Sequence, residues 1–221
     1  MARAKMYPEE KRMTTRTDFT KSKTIENRLS PQEVDRFKKA AKDLCEVFLV
    51  YVLLYTGMRV SEVVHMKLSW VNFDRGIITI PESQPCRCQE CKAALYNRKG
   101  KMTKPADTWK PKTSSSARVI PVVPEVEDVL KSFFSKHKVV MDVVPSRGSA
   151  YHTLKVVARR AGIKHPVFPH ALRGTFATML AVKKFGVFEL KDALGWKTIA
   201  PAEFYVRLAG EEMKQVFKEK W

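Results

Sequence analysis

Apolar side chains recur at helical spacing along much of the chain, so helix is the dominant predicted element. Ser30, Pro31 and Glu33 form the pattern of an N-cap, a first helical residue and a capping box. A second, more apolar helix is predicted over residues 44–55, and Gly57 ends it because glycine suits the left-handed C-cap position. The folded domain is therefore predicted to begin near residue 29 and to start with helices.

Two β-branched runs, at residues 77–80 and 118–123, predict two strands of one small sheet. The connection between them, residues 81–117, is rich in Lys and Arg and is long for a compact domain, which suggests that it has a function. Residues 1–28 are also basic and show no periodic apolar face, so they are predicted to be a flexible arm or linker. Helix thus dominates, with a small sheet and a long basic insertion.

The charge of the chain points to a polyanionic partner. Over 221 residues, 41 Lys and Arg oppose 23 Asp and Glu, for a formal net charge of +18, and nucleic acid is the leading candidate for such an excess. The longest apolar run, residues 47–55, is about half the length that spans a bilayer, and no signal peptide is recognisable. We therefore expect no membrane partner and an intracellular location, cytoplasmic or associated with the nucleoid.

Three of the four cysteines are crowded into one short loop. Cys86, Cys88 and Cys91 do not resemble the framework of a disulfide-rich secreted protein, which fits a reducing compartment. Three thiolates within six residues are how metal-binding knuckles are built, but a closed zinc site needs a fourth ligand. That ligand is open from the sequence, with candidates Cys45, Asp107, His65, His137 or a symmetry-related chain. Free reduced thiols are the alternative.

The C-terminal third carries side chains suited to phosphate chemistry. His170 and Arg173 lie three residues apart and share a helix face, so an imidazole and a guanidinium can converge on one anion. Arg59 lies at a predicted helix entry, where free N–H groups favour phosphate, and Glu62 can pair with it. Tyr205 is a candidate nucleophile. Each residue alone is more often a surface or packing residue, so the prediction rests on their combination.

Five short motifs together resemble the catalytic domain of the tyrosine recombinases, also called phage-type integrases. They are TGMRVSE (56–62), PKTSSSARVIPV (111–122), HALR (170–173), LGW (194–196) and FY (204–205). Each motif is weak alone, but all occur in the family's order over roughly residues 29–212, with the family's spacing from tryptophan to tyrosine. The resemblance implies a mainly α fold with a small antiparallel β-sheet of about three strands.

The resemblance also implies roles for the residues that cut DNA. Tyr205 would be the nucleophile and would give a 3′-phosphotyrosyl intermediate. Arg59 and Arg173 would bind the non-bridging oxygens of the scissile phosphate. Lys112 would be the general acid for the departing 5′ oxygen, with Lys110 as the alternative because the two lysines lie only two residues apart.

Three further residues would assist. His170 would orient the phosphate or accept the tyrosine proton. Trp196 stands where many family members have a second histidine; its indole N–H can donate a hydrogen bond but cannot shuttle a proton. Glu62 would hold Arg59 in place. No cofactor for catalysis is implied, and zinc, if bound, would stiffen the hairpin that presents Lys112.

The function implied is that of a metal-independent, site-specific recombinase or integrase, acting on double-stranded DNA as a multimer on paired sites. A type IB topoisomerase-like enzyme and a resolvase share this chemistry and remain alternatives. A non-catalytic DNA-binding accessory module is the alternative from a different class. The predicted domain is 29–221, with a cysteine-bearing basic β-hairpin insertion at 81–117 and a C-terminal tail at 211–221. Family members usually carry a separate N-terminal DNA-binding domain, so we expect a catalytic fragment or a minimal enzyme.

Overall fold

Helices form most of the structure. The computed structural model describes residues 23–93, 102 and 107–220. The helices within this part are α1 (Lys23–Glu26), α2 (Pro31–Ala40), α3 (Leu44–Thr56), α4 (Val60–Val64), α5 (Gln89–Ala93), α6 (Pro124–Lys136), α7 (Arg147–Arg160), α8 (Pro169–Val182), α9 (Val187–Leu194) and α10 (Ala200–Lys220). None of them is long and apolar enough to cross a membrane.

Five short strands form two antiparallel sheets in the described residues. They are β1 (Val71–Asn72), β2 (Ile77–Ile80), β3 (Gln84–Pro85), β4 (Thr108–Trp109) and β5 (Arg118–Pro121). The larger sheet has the order β1-β2-β5, with Ile80 paired to Arg118, and β3 pairs with β4 in a separate sheet. The predicted mainly α fold with a three-stranded antiparallel sheet is confirmed.

Helix α3 is the centre of the core because almost its whole surface is apolar. It packs against α6, α7 and α8. Phe48 of α3 stacks on Phe133 of α6, with ring centroids 3.9 Å apart, and both side chains are fully buried. A second apolar cluster joins α8, α9 and α10 and includes Phe176, Leu190 and Tyr205. Gly57, directly after α3, lies against Leu194 and Phe176 of this second cluster.

Two capping signals at the start of the chain behave as the sequence predicts. The Ser30 hydroxyl accepts a hydrogen bond from the Glu33 backbone N–H, and the Glu33 carboxylate accepts one from the Ser30 N–H, which completes the capping box of α2. Gly57 ends α3 in the left-handed conformation, with φ of 58°. These local rules therefore fix both ends of the N-terminal helical region.

The segment just before α2 packs more closely than predicted. Helix α1 lies against α8, the Arg28 guanidinium donates to the Thr178 hydroxyl at 2.9 Å, and the Leu29 N–H donates to the Thr175 hydroxyl at 3.0 Å. The expectation of a flexible arm therefore does not hold for residues 23–28, because polar partners on α8 hold them. Residues 1–22 of the predicted arm lie outside the described residues.

The insertion at 81–117 contains an antiparallel pair of strands and a helix that was not predicted. Strands β3 and β4 pair with each other, and α5 lies between them in sequence. Residues 94–101 and 103–106 of the insertion lie outside the described part. The predicted tail at 211–221 begins inside α10.

Candidate active site

The junction between α3 and α4 positions Arg59. Its backbone N–H donates to one carboxylate oxygen of Glu62 at 2.8 Å, and its guanidinium donates to the other at 2.9 Å. Arg59 is the N-cap residue of α4 and Glu62 is the third residue of that helix, so helical geometry brings the carboxylate back onto the arginine. The guanidinium also donates to the Ser116 hydroxyl at 2.8 Å, which connects the helix entry to the segment before β5.

Glu62 is a counter-ion shared by two arginines. Its side chain is completely buried and lies 3.3 Å from the Arg118 guanidinium as well as 2.9 Å from that of Arg59. Arg118 also donates to the carbonyls of Ala193 and Ser116, both at 2.9 Å. Burial lowers the pKa of Arg118, and the Glu62 charge opposes that shift. No role for Arg118 is predicted from the sequence, although the residue lies within the motif at 111–122.

Arg173 reaches between two loops from the first turns of α8. Its guanidinium donates hydrogen bonds to the carbonyls of Gly57 and Leu194, and the residue is 6% exposed. Burial, followed by the charges of Arg59 and Arg118, lowers its pKa to about 9, so it remains charged at neutral pH. Two bonds use only part of the five N–H donors of a guanidinium, which leaves capacity for an anion.

Tyr205 lies in a cleft beside Arg173. Its ring stacks on Trp196, with centroids 5.7 Å apart and an angle of 8° between the planes, and the residue is 7% exposed. The cleft has a volume of about 230 Å³ and is also lined by His170 and Gly174. A Cβ atom on Gly174 would lie 3.1 Å from the Tyr205 hydroxyl, so the absence of a side chain there makes room for the phenol.

The pKa shifts of His170 and Tyr205 suit an imidazole base that accepts a proton from a phenol. Burial raises the pKa of Tyr205, and the charges of Arg28 and Arg173 oppose this. The His170 ring is open to solvent on one side, yet partial burial and then the charges of Arg173, Lys112 and Arg59 lower its pKa. His170 is therefore largely neutral at pH 7 and able to accept a proton.

The two candidate lysines are both exposed. Lys110 directly follows β4, and Lys112 lies in a bend before Ser114–Ser116. The charge of Lys112 reaches His170, because it is one of the three charges that lower the pKa of that imidazole. The structure thus joins Arg59 to the buried Glu62 and places the buried Arg173 near enough for the charge of Arg59 to lower its pKa. It also places Arg173, His170, Trp196 and Tyr205 around one cleft. Lys112 is at the solvent edge.

The cysteine cluster acquires its fourth member in the structure. His65, at the end of α4, lies with Cys86, Cys88 and Cys91, and the four ligand atoms are all within 4.8 Å of one another. The other candidates lie elsewhere in the described part. Cys45 belongs to α3, the Asp107 carboxylate is paired with Arg87 at 3.3 Å, and His137 is the C-cap residue of α6. The donor set of three thiols and an imidazole suits zinc.

A positively charged cleft with a buried tyrosine fits the motif resemblance. A comparison with models of protein families shows which family the chain belongs to. The model of the phage integrase family matches residues 27–212. The chain belongs to this family. Among relatives, tyrosine recombinase XerA of Pyrococcus furiosus is 26% identical over 202 residues, covering 87% of this chain and 61% of the relative. Tyrosine recombinase XerD of Neisseria meningitidis serogroup B is 27% identical over 202 residues, covering 89% and 64%.

Solved structures show the same fold. A crystal structure of XerA recombinase has a TM-score of 0.64 at 22% identity, covering 88% of this chain and 64% of that one. The catalytic domain of bacteriophage HP1 integrase has a TM-score of 0.56 at 20% identity, covering 87% and 94%. The Tn1549 transposon integrase has a TM-score of 0.58 at 19% identity, covering 85% and 65%. This chain thus spans less than two thirds of the length of XerA and XerD and nearly all of the HP1 catalytic domain.

Proposed function

We propose that this chain is the catalytic domain of a site-specific tyrosine recombinase, which cleaves and rejoins double-stranded DNA through a 3′-phosphotyrosyl intermediate. The observation that carries the proposal is the cleft in which the Tyr205 hydroxyl lies against Gly174, next to the buried Arg173 guanidinium. A nucleophile and an anion-binding group are already adjacent there, so a phosphodiester held by the arginine lies within reach of the phenol.

In the first step the Tyr205 oxygen attacks phosphorus. A phosphotyrosyl ester forms, the bond from phosphorus to the 5′ oxygen breaks, and the bond energy is retained for rejoining. Because burial raises the pKa of Tyr205, its proton needs an acceptor, and the neutral imidazole of His170 in the same cleft serves. The 5′ oxygen receives a proton from Lys112, which we favour over Lys110 because its charge reaches His170.

The two arginines stabilise the charge that develops on the phosphate. Arg59 and Arg173 present planar donor groups that match two phosphate oxygens, and Glu62 fixes the first of them. Trp196 stacks on Tyr205 and its indole N–H is a further donor in the cleft. No catalytic metal or other cofactor has a role in this proposal.

DNA as the substrate is supported by charge and by a related structure. The net charge of +18 suits a polyanion, and the Tn1549 integrase structure is a complex with transposon right end DNA. The proposal includes action as a multimer on paired sites, because exchange requires cleavage of two duplexes. It also includes an intracellular location, associated with the nucleoid.

The proposal is tested with a pool of nicked half-site DNA duplexes of randomised sequence, in which cleavage releases a short strand and traps the covalent complex. We expect denaturing electrophoresis to show a protein–DNA adduct with the unmodified chain and with Tyr151→Phe, a control tyrosine on α7. Tyr205→Phe should give no adduct while retaining DNA binding.

Three other results would change the assignment. DNA binding without an adduct from any sequence would indicate a non-catalytic DNA-binding module. An adduct that persists in Tyr205→Phe would show that another residue is the nucleophile. Relaxation of supercoiled plasmids of any sequence, with no recombinant product on paired sites, would indicate a type IB topoisomerase-like enzyme, and products only from directly repeated sites would indicate a resolvase.

A further inference from the structure

Four side chains that the cleavage chemistry does not use converge at the far end of α4. His65 is the C-cap residue of α4, Cys86 follows β3, Cys88 precedes α5 and Cys91 lies within α5. His65 is 3% exposed and Cys91 is 6% exposed, so two of the four donors are buried. The cysteines lie 21 to 26 positions after His65 in the sequence. A hydrogen bond from the Gln84 side-chain amide to the His65 carbonyl holds β3 beside the end of α4.

The distances match those of a tetrahedral site. The His65 Nε2 atom lies 3.5 Å from the Cys88 sulfur and 3.3 Å from the Cys91 sulfur. Bond lengths of about 2.0 and 2.3 Å around a tetrahedral zinc ion place an imidazole nitrogen and a thiolate sulfur about 3.6 Å apart, and two sulfurs about 3.8 Å apart. All four ligand atoms lie within 4.8 Å of one another, so each needs to move by less than about 1 Å to reach that geometry.

The hydrogen bonds around the cluster orient its ligands. The Nδ1 atom of His65 lies 2.7 Å from the Ser61 carbonyl oxygen. A carbonyl only accepts, so Nδ1 carries the proton and Nε2 directs its lone pair at the sulfurs, as for a metal-bound histidine. The Cys91 N–H donates to the Cys88 sulfur at 3.2 Å, which fixes the position of that sulfur.

Aromatic side chains cover the cluster. Trp109 of β4 is 3% exposed and stacks on the His65 ring, with centroids 5.3 Å apart. Behind it, Gln84 donates to the His65 carbonyl at 2.7 Å and accepts from the Trp70 indole at 3.0 Å. The imidazole is therefore held rigidly in an environment that excludes water on one side, as the contacts around the ligands of structural metal ions do.

We propose that His65, Cys86, Cys88 and Cys91 bind one Zn²⁺ ion in a closed, structural site. Three thiolates and one imidazole complete a tetrahedral shell and leave no position for substrate, so the ion has no part in the cleavage step. Binding releases three protons from the thiols, and the free energy of binding stabilises the local fold.

The zinc ion would connect two parts of the active site, and this role rests on the proposed function. Its histidine belongs to α4, whose first turn holds Arg59 and Glu62. Its cysteines belong to the insertion, which continues through β4 to Lys112, three residues beyond Trp109. Loss of the ion would release the insertion from α4 and leave the general acid less well positioned, with the tyrosine and the arginines unaffected.

Metal content tests the site without reference to activity. The full chain, purified without added metal, should contain about one zinc ion per molecule by elemental mass spectrometry, in line with a single four-ligand site. Replacing zinc with cobalt should give the intense visible bands and the thiolate charge-transfer band of tetrahedral coordination. Cys88→Ser and His65→Ala should lose the metal, and His65→Cys should retain it because a fourth thiolate completes the shell.

Matched controls test the assignment of each ligand. Cys45→Ser and His137→Ala remove a cysteine and a histidine outside the cluster and should retain full zinc occupancy. The proposal is overturned if the unmodified chain holds less than about a tenth of an equivalent and shows no tetrahedral cobalt spectrum. It is equally overturned by a disulfide among Cys86, Cys88 and Cys91 in freshly purified protein, or by His65→Ala retaining zinc.

Cleavage kinetics then test the positioning role. Zinc-depleted chain should cleave an ordinary half-site at least about tenfold more slowly, as expected when an acid is misplaced. A substrate with sulfur in place of the bridging 5′ oxygen has a leaving group that needs no acid, so its cleavage should be nearly independent of zinc. Equal slowing on both substrates would overturn the positioning of Lys112 while leaving zinc binding intact, and absence of any cleavage would contradict the proposed function alone.

Discussion

At the scale of single residues, Glu62 is a buried carboxylate on which two arginines depend. It is completely buried and pairs with Arg59 and Arg118, so its removal leaves two guanidinium groups without their counter-ion. We predict that Glu62→Gln lowers the free energy of unfolding by about 3–5 kcal/mol, the range for breaking a buried ion pair from one side. Urea denaturation measures this change, and cleavage should fall because Arg59 is no longer held.

The control for this substitution is Glu127→Gln. Glu127 pairs with Lys131 at 2.6 Å on the surface of α6, one helical turn away. Exposed pairs of this kind contribute little to stability because solvent screens them, so the same chemical change should have little effect there. Equal destabilisation by the two substitutions would contradict the shared counter-ion role of Glu62.

The charge state of His170 gives a second prediction at this scale. Partial burial and three nearby cations lower its pKa, so in the DNA-free chain the imidazole should titrate below its usual value of about 6.5. The ring is then neutral at pH 7 and becomes charged only as the pH falls. NMR titration of the imidazole protons, assigned by comparison with His170→Gln, measures this directly. A midpoint at or above about 6.5 would contradict the arrangement of charges in the cleft.

Candidate site residues that belong to recognisable motifs could be identified from the sequence. Residues whose contacts depend on how the chain folds could not. Arg59, Arg173 and Tyr205 are found in the sequence because their types and spacings match one chemistry. The ion pair of Arg118 with Glu62 could not be predicted, because a single arginine at the start of a strand gives no sign that it will be buried. His65 was one of several open candidates, since its approach to the cysteines depends on how the insertion folds back.

At the scale of secondary-structure elements, the junction between α3 and α4 is under a tight steric constraint. Gly57 has φ of 58°, and a Cβ atom there would lie 2.6 Å from Leu194 and from Phe176. The carbonyl of Gly57 also accepts a hydrogen bond from Arg173. A side chain at this position therefore strains the backbone, pushes α8 and α9 away and disturbs the arginine at the same time.

We predict that Gly57→Ala destabilises the chain by about 2–5 kcal/mol, combining the left-handed backbone penalty with overpacking. Gly76→Ala is the matched control: Gly76 has the same φ of 58°, but nothing lies within 4 Å of a Cβ atom there. It should cost only about 1–2 kcal/mol. Thermal unfolding measures both. A similar loss in the two variants would show that the contacts with Leu194 and Phe176 yield easily.

Elements with strong local signals were predictable, and those that depend on tertiary partners were not. The capping box at Ser30 and the left-handed glycine at residue 57 mark helix ends through nearby residues only. Helix α1 has four residues and no buried side chain, so its position depends on tertiary contacts with α8. The residues that follow it, Arg28 and Leu29, donate hydrogen bonds to hydroxyl groups of α8. Strands β3 and β4 have two residues each, too few for an alternating pattern, and are defined by their pairing.

At the scale of the whole molecule, the two apolar clusters support different charged residues of the candidate site. The larger apolar cluster supports α3, α4 and the sheet, which present Arg59 and Arg118, and the smaller cluster supports α8 and α10, which present Arg173 and Tyr205. Three guanidinium groups of the described residues lie near this boundary, and Glu62 is the carboxylate that pairs with two of them. The positive charges therefore outnumber the negative charge there. An anion that binds at the boundary therefore contacts both clusters and favours their association.

This arrangement predicts that DNA binding is dominated by phosphate contacts. With a net charge of +18, the chain should bind DNA of any sequence, and the logarithm of affinity should fall linearly with the logarithm of salt concentration. For about 6–10 phosphate contacts, affinity should drop by roughly 10³–10⁵ between about 50 and 200 mM salt. Fluorescence anisotropy with labelled duplexes measures the slope.

Lys112→Ala should reduce the magnitude of this slope by about one, because one phosphate contact is lost. Lys131→Ala, on the surface of α6, should leave the slope unchanged. A shallow slope in the unmodified chain would contradict an interface built mainly on phosphate.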